Sequence, residues 1–407
     1  MSGDRVKELR RRAAPVRLWR LDSGVDFLNH GSFGACLRVV LAYQRGVRER
    51  MERQPVQFFV RDLEGLLDEA RGVLAKFVGA RSRDLVFVPN ATHGVNTVLR
   101  SLRFRRGDEL LVTDHEYNAC RNALDYVAAA AGVRVVVARV PFPLRSEEEA
   151  LASIAGRVTR RTRLVLLDHV TSPTGMVMPL ERWVPWFVER GVEVLVDGAH
   201  APGMVPLRLD KLGATYYTAN CHKWVGAPKG AAFLWVREDR QDGVRPLAIS
   251  HGANSPRRDR SRYQVEFGWT GTMDPSAWLS VPVALGAMAD LVEGGWAAIN
   301  RRNRWLALEG RRLHCEALGV EPPGPASMMG SMASVPLPDA VGGEAPVSPL
   351  YLDPLQDRLL GELGIEVPIV PWPAYPRRLV RVSAQLYNHL GQYERLAGAI
   401  KRVLQMD

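Results

Sequence analysis

The sequence predicts an α/β fold in which a largely parallel sheet forms a large domain and a smaller α+β domain follows it. Between residues 85 and 236, short apolar runs rich in β-branched residues alternate with amphipathic stretches of helical length. Most connections between the runs are long enough for the crossover helix that parallel strands require. After Gly271 this alternation stops. We therefore expect helices on both faces of the sheet and ligands beyond the carboxyl ends of its strands.

Seven apolar runs are predicted to form the strands of that sheet. They are Leu85–Val88, Leu110–Thr113, Val133–Val140, Leu164–Leu167, Val192–Val196, Tyr216–Ala219 and Ala231–Val236. After Gly271 the pattern predicts helices, a long Pro/Gly/Ser-rich loop around a short strand, a further strand and a closing helix. These are Pro275–Leu291 and Trp296–Leu318, the loop Pro322–Pro349 around Met328–Leu337, then Leu379–Leu386 and Tyr393–Leu404. The predicted domains are an N-terminal arm at 1–24, a large domain at 25–270 and a small domain at 271–407.

Length and composition exclude several classes of protein. At 407 residues the chain can bury a large core, and no run of apolar residues is long enough to cross a membrane. Met1–Arg20 is basic but lacks the apolar stretch of a secretory signal, so it is interpreted as an amphipathic arm. The four cysteines have neither metal-ligand spacing nor the pattern of a disulfide framework. This usage predicts a reducing, cytoplasmic location and no bound metal.

The formal net charge of +10 raises the question of a nucleic-acid partner. The arginines are spread along the whole chain, and no helix–turn–helix, zinc-finger or RNA-binding signature occurs. We therefore expect no nucleic acid to bind. The positive field can still attract an anionic cofactor or substrate.

Two polar clusters that follow neighbouring predicted strands carry the strongest chemical signal. Val192–Val196 leads into Asp197, and the strand beginning at Tyr216 leads into Asn220-Cys221-His222-Lys223-Trp224. Only six of the 54 basic residues are lysines, so Lys223 stands where an amine able to lose its proton is needed. Pyridoxal 5′-phosphate (PLP) requires such a lysine for its Schiff base and an acid beside its pyridine nitrogen. The alternative for Lys223 is a surface lysine beside a tryptophan.

Two further clusters follow the first and second strands. Asn90-Ala91-Thr92-His93-Gly94 opens a helical stretch, where backbone N–H groups and the helix terminus favour a phosphate. The alternative is an ordinary helix cap formed by Asn90 or Thr92. In Asp114–Asn118, either His115 or Tyr117 is placed to stack on the pyridine ring, with a simple polar cap as the alternative.

Three later segments complete the candidate site. The turn Ser172-Pro173-Thr174-Gly175 brings a hydroxyl near the ring oxygen of the cofactor, for which His200 is a second candidate. His222 is placed to contact phosphate, although single histidines are often structural. Arg381 lies in an alternating strand and is predicted to bind a substrate carboxylate through two parallel hydrogen bonds. A solvated surface arginine is the alternative there.

Taken together, these segments resemble the class V aminotransferase group of fold-type I PLP-dependent enzymes, and within it the isopenicillin N epimerase-like subgroup. The resemblance extends from about Phe27 to the C-terminus. The segments that carry it are Leu28–Gly34, Asn90–Asn96, Thr113–Tyr117, His169–Gly175, Val196–Gly203, Asn220–Trp224, Trp269–Thr272 and Arg381–Asn388. They are specific for fold and cofactor and much less specific for the reaction.

The resemblance implies a role for each site residue and a homodimer with shared active sites. Lys223 would bind PLP and act as base, Asp197 would pair with the pyridinium, and His115 would stack on the ring. The implied phosphate ligands are Ala91, Thr92, His93 and His222, joined by Thr272 from the neighbouring subunit. His200 and Ser172 would approach the ring oxygen, and Arg381 would bind the substrate carboxylate. Asn29, His30 and Ser32 would line the entrance to the substrate site.

Two departures from the wider class narrow the expected activity. Ser172 stands where many members have asparagine, which suits the epimerase-like subgroup. The region Pro322–Pro349 contains no cysteine, although cysteine desulfurases of the class need a nucleophilic cysteine on a loop there. Formation of a persulfide on the enzyme is therefore not expected.

The expected common step is removal of the Cα proton of an amino acid by Lys223, with PLP as the electron sink. An epimerase-like reaction is the leading interpretation, although the second proton donor that it needs is left open between His115, Tyr117 and water. A carbon–sulfur β-lyase acting on S-substituted cysteines is the first alternative, followed by an aminotransferase or a decarboxylase. A PLP fold without catalytic activity is the remaining alternative, and a competent residue at every chemical position argues against it.

Overall fold

A seven-stranded sheet lies at the centre of the protein, which is described here by a computed structural model. The structure describes residues 14–341, 350 and 353–406. Most of the predicted amphipathic arm and residues 342–349 of the predicted long loop therefore lie outside the described residues. No described helix has the length and apolar character needed to cross a membrane.

The seven strands of the central sheet follow the predicted runs to within two residues at each end, because apolar β-branched sequence coincides with burial inside the sheet. The predicted strand Leu379–Leu386 is instead Arg378–Ser383 and ends three residues earlier. In chain order the described strands are β1 (Asp26–Phe27), β2 (Leu85–Val88), β3 (Glu109–Thr113), β4 (Arg134–Ala138), β5 (Thr162–Asp168), β6 (Glu193–Asp197), β7 (Tyr216–Asn220), β8 (Ala232–Val236), β9 (Met332–Leu337), β10 (Ile365–Glu366), β11 (Ile369–Pro371) and β12 (Arg378–Ser383). The central sheet has the order β2-β8-β7-β6-β5-β3-β4. Strand β8 pairs antiparallel with both β2 and β7, and all other pairs in this sheet are parallel, so the predicted largely parallel sheet is confirmed.

The described helices cover the sheet and build the smaller domain. They are α1 (His30–Phe33), α2 (Arg38–Arg53), α3 (Leu63–Val78), α4 (Ala91–Ser101), α5 (Asn118–Ala131), α6 (Glu147–Ala155), α7 (Leu180–Val188), α8 (Leu209–Leu212), α9 (Arg262–Gly268), α10 (Ser276–Leu279), α11 (Val281–Ala289), α12 (Gly295–Leu318), α13 (Pro354–Leu363) and α14 (Leu390–Met406). Alternate residues of each strand belong to two separate buried clusters, one on each face of the sheet. Leu166 and Leu195 lie in one cluster and Val165 and Val196 in the other. This alternation explains why the strand sequences are apolar throughout.

The carboxyl ends of the parallel strands meet at one edge of the sheet. Asp168 at the end of β5 lies opposite Asp197 at the end of β6, and Asp197 lies opposite Thr218 of β7. Helix α4 packs directly on β7, since a Cβ atom added to Gly94 would overlap Thr218. The polar segments after β2, β3, β5, β6 and β7 are therefore gathered at this edge.

A three-stranded antiparallel sheet of order β11-β12-β9 forms the smaller domain together with α12 and α14. The sequence pattern missed α13 and the short strands β10 and β11. Helix α13 begins at a cap where Asp353 Oδ1 accepts the Leu355 N–H at 2.9 Å, a short local signal rather than a periodic one. The predicted strand at Met328–Leu337 is shorter because Ala326–Met328 forms a 3₁₀ turn.

The N-terminal segment joins the C-terminal part of the chain. Strand β1 pairs with β10 in parallel, and the Ala14 N–H donates to the Leu386 carbonyl at 2.8 Å. Trp19 is buried, with its ring centroid 5.0 Å from that of Tyr387. Helices α10 and α11 pack on α2 and α3. The domain boundaries at 24/25 and 270/271 stay predictions.

Candidate active site

Lys223 lies in the loop after β7, with its amine close to the predicted ring-oxygen ligand His200. Nζ of Lys223 is 3.0 Å from Nε2 of His200. Burial is the main cause that lowers the pKa of Lys223 to about 8, and the nearby positive charge of Arg381 adds to it. Asp197 opposes this effect. A substantial fraction of the amine is thus neutral near physiological pH, as a base or a nucleophile needs.

Asp197 is held by one donor on each carboxylate oxygen. The Ala199 N–H donates to Oδ1 at 2.9 Å, and the Cys120 thiol donates to Oδ2 at 3.1 Å. Burial raises the pKa of Asp197. The charge of Lys223 lies near enough to lower this pKa again. The site thus holds a buried carboxyl group that a bound cation would stabilise.

Two more acids lie beside Asp197, and sequence reasoning missed both. Glu116 precedes α5, and Asp168 ends β5 directly opposite Asp197. Neither carboxyl oxygen of Glu116 has a hydrogen-bond partner among the described residues, nor has Oδ2 of Asp168. Burial, and then the charges of neighbouring acids, raise the pKa of Glu116 and of Asp168 well above their usual values. The register of β5 and β6 aligns Asp168 with Asp197, and Glu116 reaches them from the segment after β3. The only sequence signal was an acid at or just after a strand end.

The predicted phosphate cup lies at the beginning of α4. Asn90 caps the helix by accepting the His93 N–H at 2.8 Å, and Asn220 accepts the Ala91 N–H at 2.8 Å. The helix-cap interpretation of Asn90 is therefore confirmed. Asn220 ties the lysine-bearing strand to this helix, a contact that the sequence did not predict. Thr92 lies between Ala91 and His93, whose N–H groups these two asparagines accept.

His222 belongs to the segment Cys221–Trp224 that follows β7, which we call the lysine loop. Only one of its ring nitrogens makes a contact among the described residues. Nδ1 lies 2.9 Å from the Ala231 carbonyl, and because a carbonyl only accepts, Nδ1 carries the hydrogen. Burial and the Lys223 charge lower the pKa of His222 to about 4. His93, in the first turn of α4, also has its pKa lowered by burial. The phosphate roles of His222, His93, Ala91 and Thr92 stay predictions.

His115 is fully buried and fixed by two contacts. Nε2 lies 2.9 Å from the Val140 carbonyl, so it carries the ring hydrogen, and Nδ1 accepts from the Thr174 hydroxyl at 2.8 Å. Burial lowers the pKa of His115. Trp372, from the segment between β11 and β12, lies 4.4 Å from it between ring centroids. The stacking of His115 on a cofactor stays a prediction, and Trp372 was missed because its partner is 257 residues away in sequence.

Arg381 brings the smaller domain to the site. Its Nη1 donates to the Ser172 carbonyl at 2.6 Å and to the Ser172 hydroxyl at 3.2 Å, and its Nη2 donates to the Ser32 hydroxyl at 2.8 Å. Ser32 donates in turn to Asn29, whose amide donates to Glu366 at 2.8 Å. Ser172, Ser32 and Asn29 therefore form a support for Arg381 in this structure. Their predicted contacts with cofactor or substrate remain untested.

His30 lies beneath the lysine loop. It is buried, with Nδ1 2.8 Å from the Tyr387 hydroxyl and Nε2 3.2 Å from the Lys223 carbonyl. Burial lowers the pKa of His30 to about 3, so the ring is neutral. This geometry fixes the backbone of Lys223, and the predicted role of His30 in substrate binding stays a prediction.

Thr272 is a predicted site residue that no described contact joins to the lysine cluster. It lies exposed in the segment after α9. Nearby, Trp269 packs edge-on against Phe59 at 5.8 Å between ring centroids. Its assignment to the site of a neighbouring subunit stays a prediction.

These residues fit PLP. Asp197 is a buried acid that a pyridinium would neutralise, and Lys223 is a buried lysine with a lowered pKa. The first turn of α4 offers backbone N–H groups, and His222 offers an unengaged ring nitrogen, both of which suit a phosphate. Among the described residues Glu116, Cys120 and Asp197 also bring potential metal ligands together, but Asp197 is the acid that the pyridinium would need.

Comparisons with known proteins agree on family and fold. The model of the family described as Aminotransferase class-V matches residues 47–309. An isopenicillin N epimerase from Amycolatopsis lactamdurans is 36% identical over 94% of this chain and 96% of its own length. A probable chloroplastic L-cysteine desulfhydrase from Arabidopsis thaliana is 32% identical over 93% of this chain and 82% of its own length.

Solved structures share the fold at low sequence identity. A cysteine desulfurase from Thermococcus onnurineus NA1 superimposes with a TM-score of 0.78 at 19% identity, covering 98% of each chain. The cystine C-S lyase C-DES, in complex with its product cysteine persulfide, has a TM-score of 0.75 at 20% identity. That superposition covers 93% of this chain and 98% of C-DES.

The buried acid Glu116 should make stability depend on pH. Its pKa is raised in the folded state, so the folded protein keeps a proton that the unfolded chain releases above its usual pKa of 4.5. This contribution to stability is present at low pH and is lost as pH rises. Glu116→Gln cannot ionise, so the difference in melting temperature between variant and wild type should shift in favour of the variant from about pH 5 to about pH 8. The gain is limited to about 1.4 kcal/mol per pH unit.

Glu49→Gln is the matched control, since Glu49 is an exposed glutamate of α2. Its melting temperature should follow that of the wild type across the same range. An equal pH response of Glu116→Gln and wild type would show that Glu116 is not held protonated.

Proposed function

Because the chain belongs to the class V aminotransferase family and depends on PLP, we propose that it is an amino-acid epimerase similar to isopenicillin N epimerase, with Lys223 as the base. The observation that carries the proposal is the amine of Lys223 itself, 3.0 Å from a neutral His200 and with a pKa of about 8. The similarity of the epimerase from Amycolatopsis lactamdurans over nearly the whole of both chains supports the reaction type.

Bound PLP supplies an electron sink for the charge that develops when a Cα proton is removed. Lys223 takes that proton, which its lowered pKa favours. Asp197 supplies the negative charge that keeps the pyridine nitrogen protonated. Cys120 and Ala199 fix the orientation of its carboxylate.

Arg381 binds the substrate carboxylate in this proposal. Its guanidinium is already oriented by Ser172 on one nitrogen and Ser32 on the other. A rigid, oriented guanidinium directs the Cα–H bond toward the base more effectively than a flexible one. The positive charge of Arg381 also contributes to the low pKa of Lys223, so substrate binding and proton abstraction are coupled at this residue.

Epimerisation also needs a proton to return to the opposite side of Cα. His115 is unsuited, because both of its ring nitrogens are engaged by Val140 and Thr174. The remaining candidates are the hydroxyl of Tyr117, whose side chain is partly exposed to solvent, and a water molecule.

A carbon–sulfur β-lyase is the second candidate function. It is favoured because both ring nitrogens of His115 are engaged, which leaves that residue unable to act as the second proton donor of an epimerase. β-Elimination from an S-substituted cysteine breaks the Cβ–S bond after Lys223 removes the Cα proton, and it needs no second base. The products would be a thiol and, after hydrolysis, pyruvate and ammonia. The relative from Arabidopsis thaliana described as a probable L-cysteine desulfhydrase supports this reaction.

Incubation of the holoenzyme with amino acids and S-substituted cysteines in deuterated water separates the two functions. Epimerisation predicts deuterium at Cα together with inverted chirality, measured by mass spectrometry and chiral chromatography. A β-lyase predicts pyruvate and a free thiol in equal amounts. Lys223→Ala should lose at least about 10³-fold in rate because neither proton removal nor cofactor attachment survives.

Lys211→Ala is the control for Lys223→Ala. It should retain wild-type turnover, since Lys211 lies in the short helix α8 and is exposed. Transamination alone, with conversion of the cofactor to its amine form, would refute both proposed reactions. Full activity of Lys223→Ala would refute the base.

Arg381→Lys should weaken substrate binding and lower kcat together. Lysine keeps the charge but lacks the planar pair of donors that Ser172 and Ser32 now orient. We expect kcat/KM to fall by about 10²-fold, measured with the substrate identified above. Arg377→Lys, an exposed arginine at the start of the same chain segment, is the control and should leave both constants unchanged. An unchanged KM in Arg381→Lys would exclude the carboxylate role.

We also propose that the active form is a homodimer. Exposed apolar side chains, Phe33 at 65%, Val39 at 56% and Tyr43 at 42%, occur on α1 and on successive turns of α2. This surface borders the active site, because Gly34 packs on the backbone of the lysine loop. The segment that carries Thr272 adjoins it, since Arg48 of α2 pairs with Asp274 at 2.7 Å.

Substitution of this surface should separate the subunits. Wild type should sediment as a dimer, and Val39→Asp with Tyr43→Asp should weaken association at least about tenfold, because carboxylates would be buried in the interface. Val188→Asp, at a partly exposed valine that ends α7, is the control for an added surface charge. A fully active wild-type monomer in analytical ultracentrifugation would refute the dimer.

A further inference from the structure

His200 is engaged on both sides of its ring, by Lys223 and by the tryptophan that follows Lys223. The indole N–H of Trp224 points at Nδ1 of His200 at 3.4 Å, and Nε2 of His200 lies 3.0 Å from Nζ of Lys223. Trp224 and His200 are both buried. The three side chains therefore form a chain that ends at the amine.

The direction of the hydrogen bonds follows from the indole. An indole nitrogen only donates, so Nδ1 of His200 must accept and cannot carry a hydrogen. A neutral imidazole with an unprotonated Nδ1 carries its hydrogen on Nε2. That hydrogen points at Lys223, so the contact is favourable when Nζ offers a lone pair and unfavourable when Nζ is an ammonium, which only donates.

The 3.4 Å distance makes the indole contact a long hydrogen bond of modest strength. Its effect lies in what it excludes. The other neutral tautomer and the imidazolium would each place a hydrogen on Nδ1, facing the indole hydrogen in a buried site where solvent cannot separate them.

We propose that Trp224 is a positioning residue that fixes His200 in the Nε2–H tautomer and thereby keeps Lys223 in its neutral, reactive form. This inference rests on the proposed attachment of PLP to Lys223. The same tautomer presents a donor from Nε2 to the ring oxygen of the cofactor, the contact predicted for His200 from the sequence.

Other charged groups around the pair come from several elements and have opposing effects. Arg381 of β12 and His222 of the lysine loop disfavour positive charge on His200, and Arg381 does so on Lys223 as well. Asp197 and Asp168, at the ends of β6 and β5, and Cys120 of α5 favour a charged Lys223. Burial, and then Arg381, lower the pKa of Lys223 to about 8, so part of the amine is in the neutral form that accepts the His200 hydrogen.

Trp224→Phe tests the hydrogen bond. Phenylalanine keeps a ring beside His30, whose centroid lies 5.0 Å from that of Trp224, and removes the N–H donor together with part of the buried indole. A control variant must therefore lose the same volume without losing a hydrogen bond. Trp235→Phe is the matched control, because Trp235 is also buried in the large domain and its N–H has no acceptor among the described residues.

The measurement is the pH dependence of cofactor attachment. Full-length protein freed of cofactor is mixed with PLP over a pH series, the link is trapped with borohydride, and peptide mass spectrometry quantifies modified Lys223. The rate should be half-maximal near pH 8 in the wild type and in Trp235→Phe. In Trp224→Phe, His200 can turn to the other tautomer and accept from an ammonium, so the midpoint should rise by about one pH unit. Attachment at pH 7 should then be about tenfold slower.

Identical profiles for Trp224→Phe and the wild type would overturn the inference. Modification of a different lysine would instead refute the proposed attachment site, so the two failures are distinguishable.

Nitrogen-15 NMR of the unsubstituted protein, labelled at histidine, is an independent test that does not depend on the folding of Trp224→Phe. The His200 signals, assigned by comparison with His200→Gln, should show a protonated Nε2 and an unprotonated Nδ1. A protonated Nδ1 would overturn the inference.

Discussion

The parallel register of β5, β6 and β7 is the constraint on which the site depends. It aligns Asp168 with Asp197 and brings the loop after β7 beside the loop after β6. Lys223 and His200 then meet at 3.0 Å, although neither lies in a strand. A shift of β6 by one residue would turn Asp197 to the opposite face of the sheet and separate the acid from the lysine.

The electrostatics of this edge are costly for the protein without its cofactor. Asp197, Asp168 and Glu116 are buried together, and the pKa of each is raised. Burying several acids with few partners destabilises the folded chain relative to an apolar packing. A cationic pyridine nitrogen beside Asp197 would offset part of that cost, which links cofactor binding to the stability of the site.

The substrate side of the site is built by distant parts of the chain. Arg381 comes from the smaller domain, whereas Ser32 and Asn29 come from the N-terminal segment that pairs with it through β1 and β10. The guanidinium is therefore oriented by Ser32 from the N-terminal part of the chain and by the turn at Ser172. His30 belongs to the same arrangement, since it joins Tyr387 to the backbone of Lys223.

The sequence alone determined the strands, the family and the identity of the acid and lysine, because apolar runs followed by polar clusters are local signals that do not depend on the rest of the fold. Hence Asp197 and Lys223 were found, and the seven strands lie within two residues of their predicted positions. Only the tertiary structure revealed the acid cluster around Glu116, the contact of Trp372 with His115 and the chain from Trp224 through His200 to Lys223. These contacts depend on strand register and on loops that meet across the sheet edge. A single sequence holds no periodic or spacing signal for these three contacts, because their partners are brought together only when the chain folds.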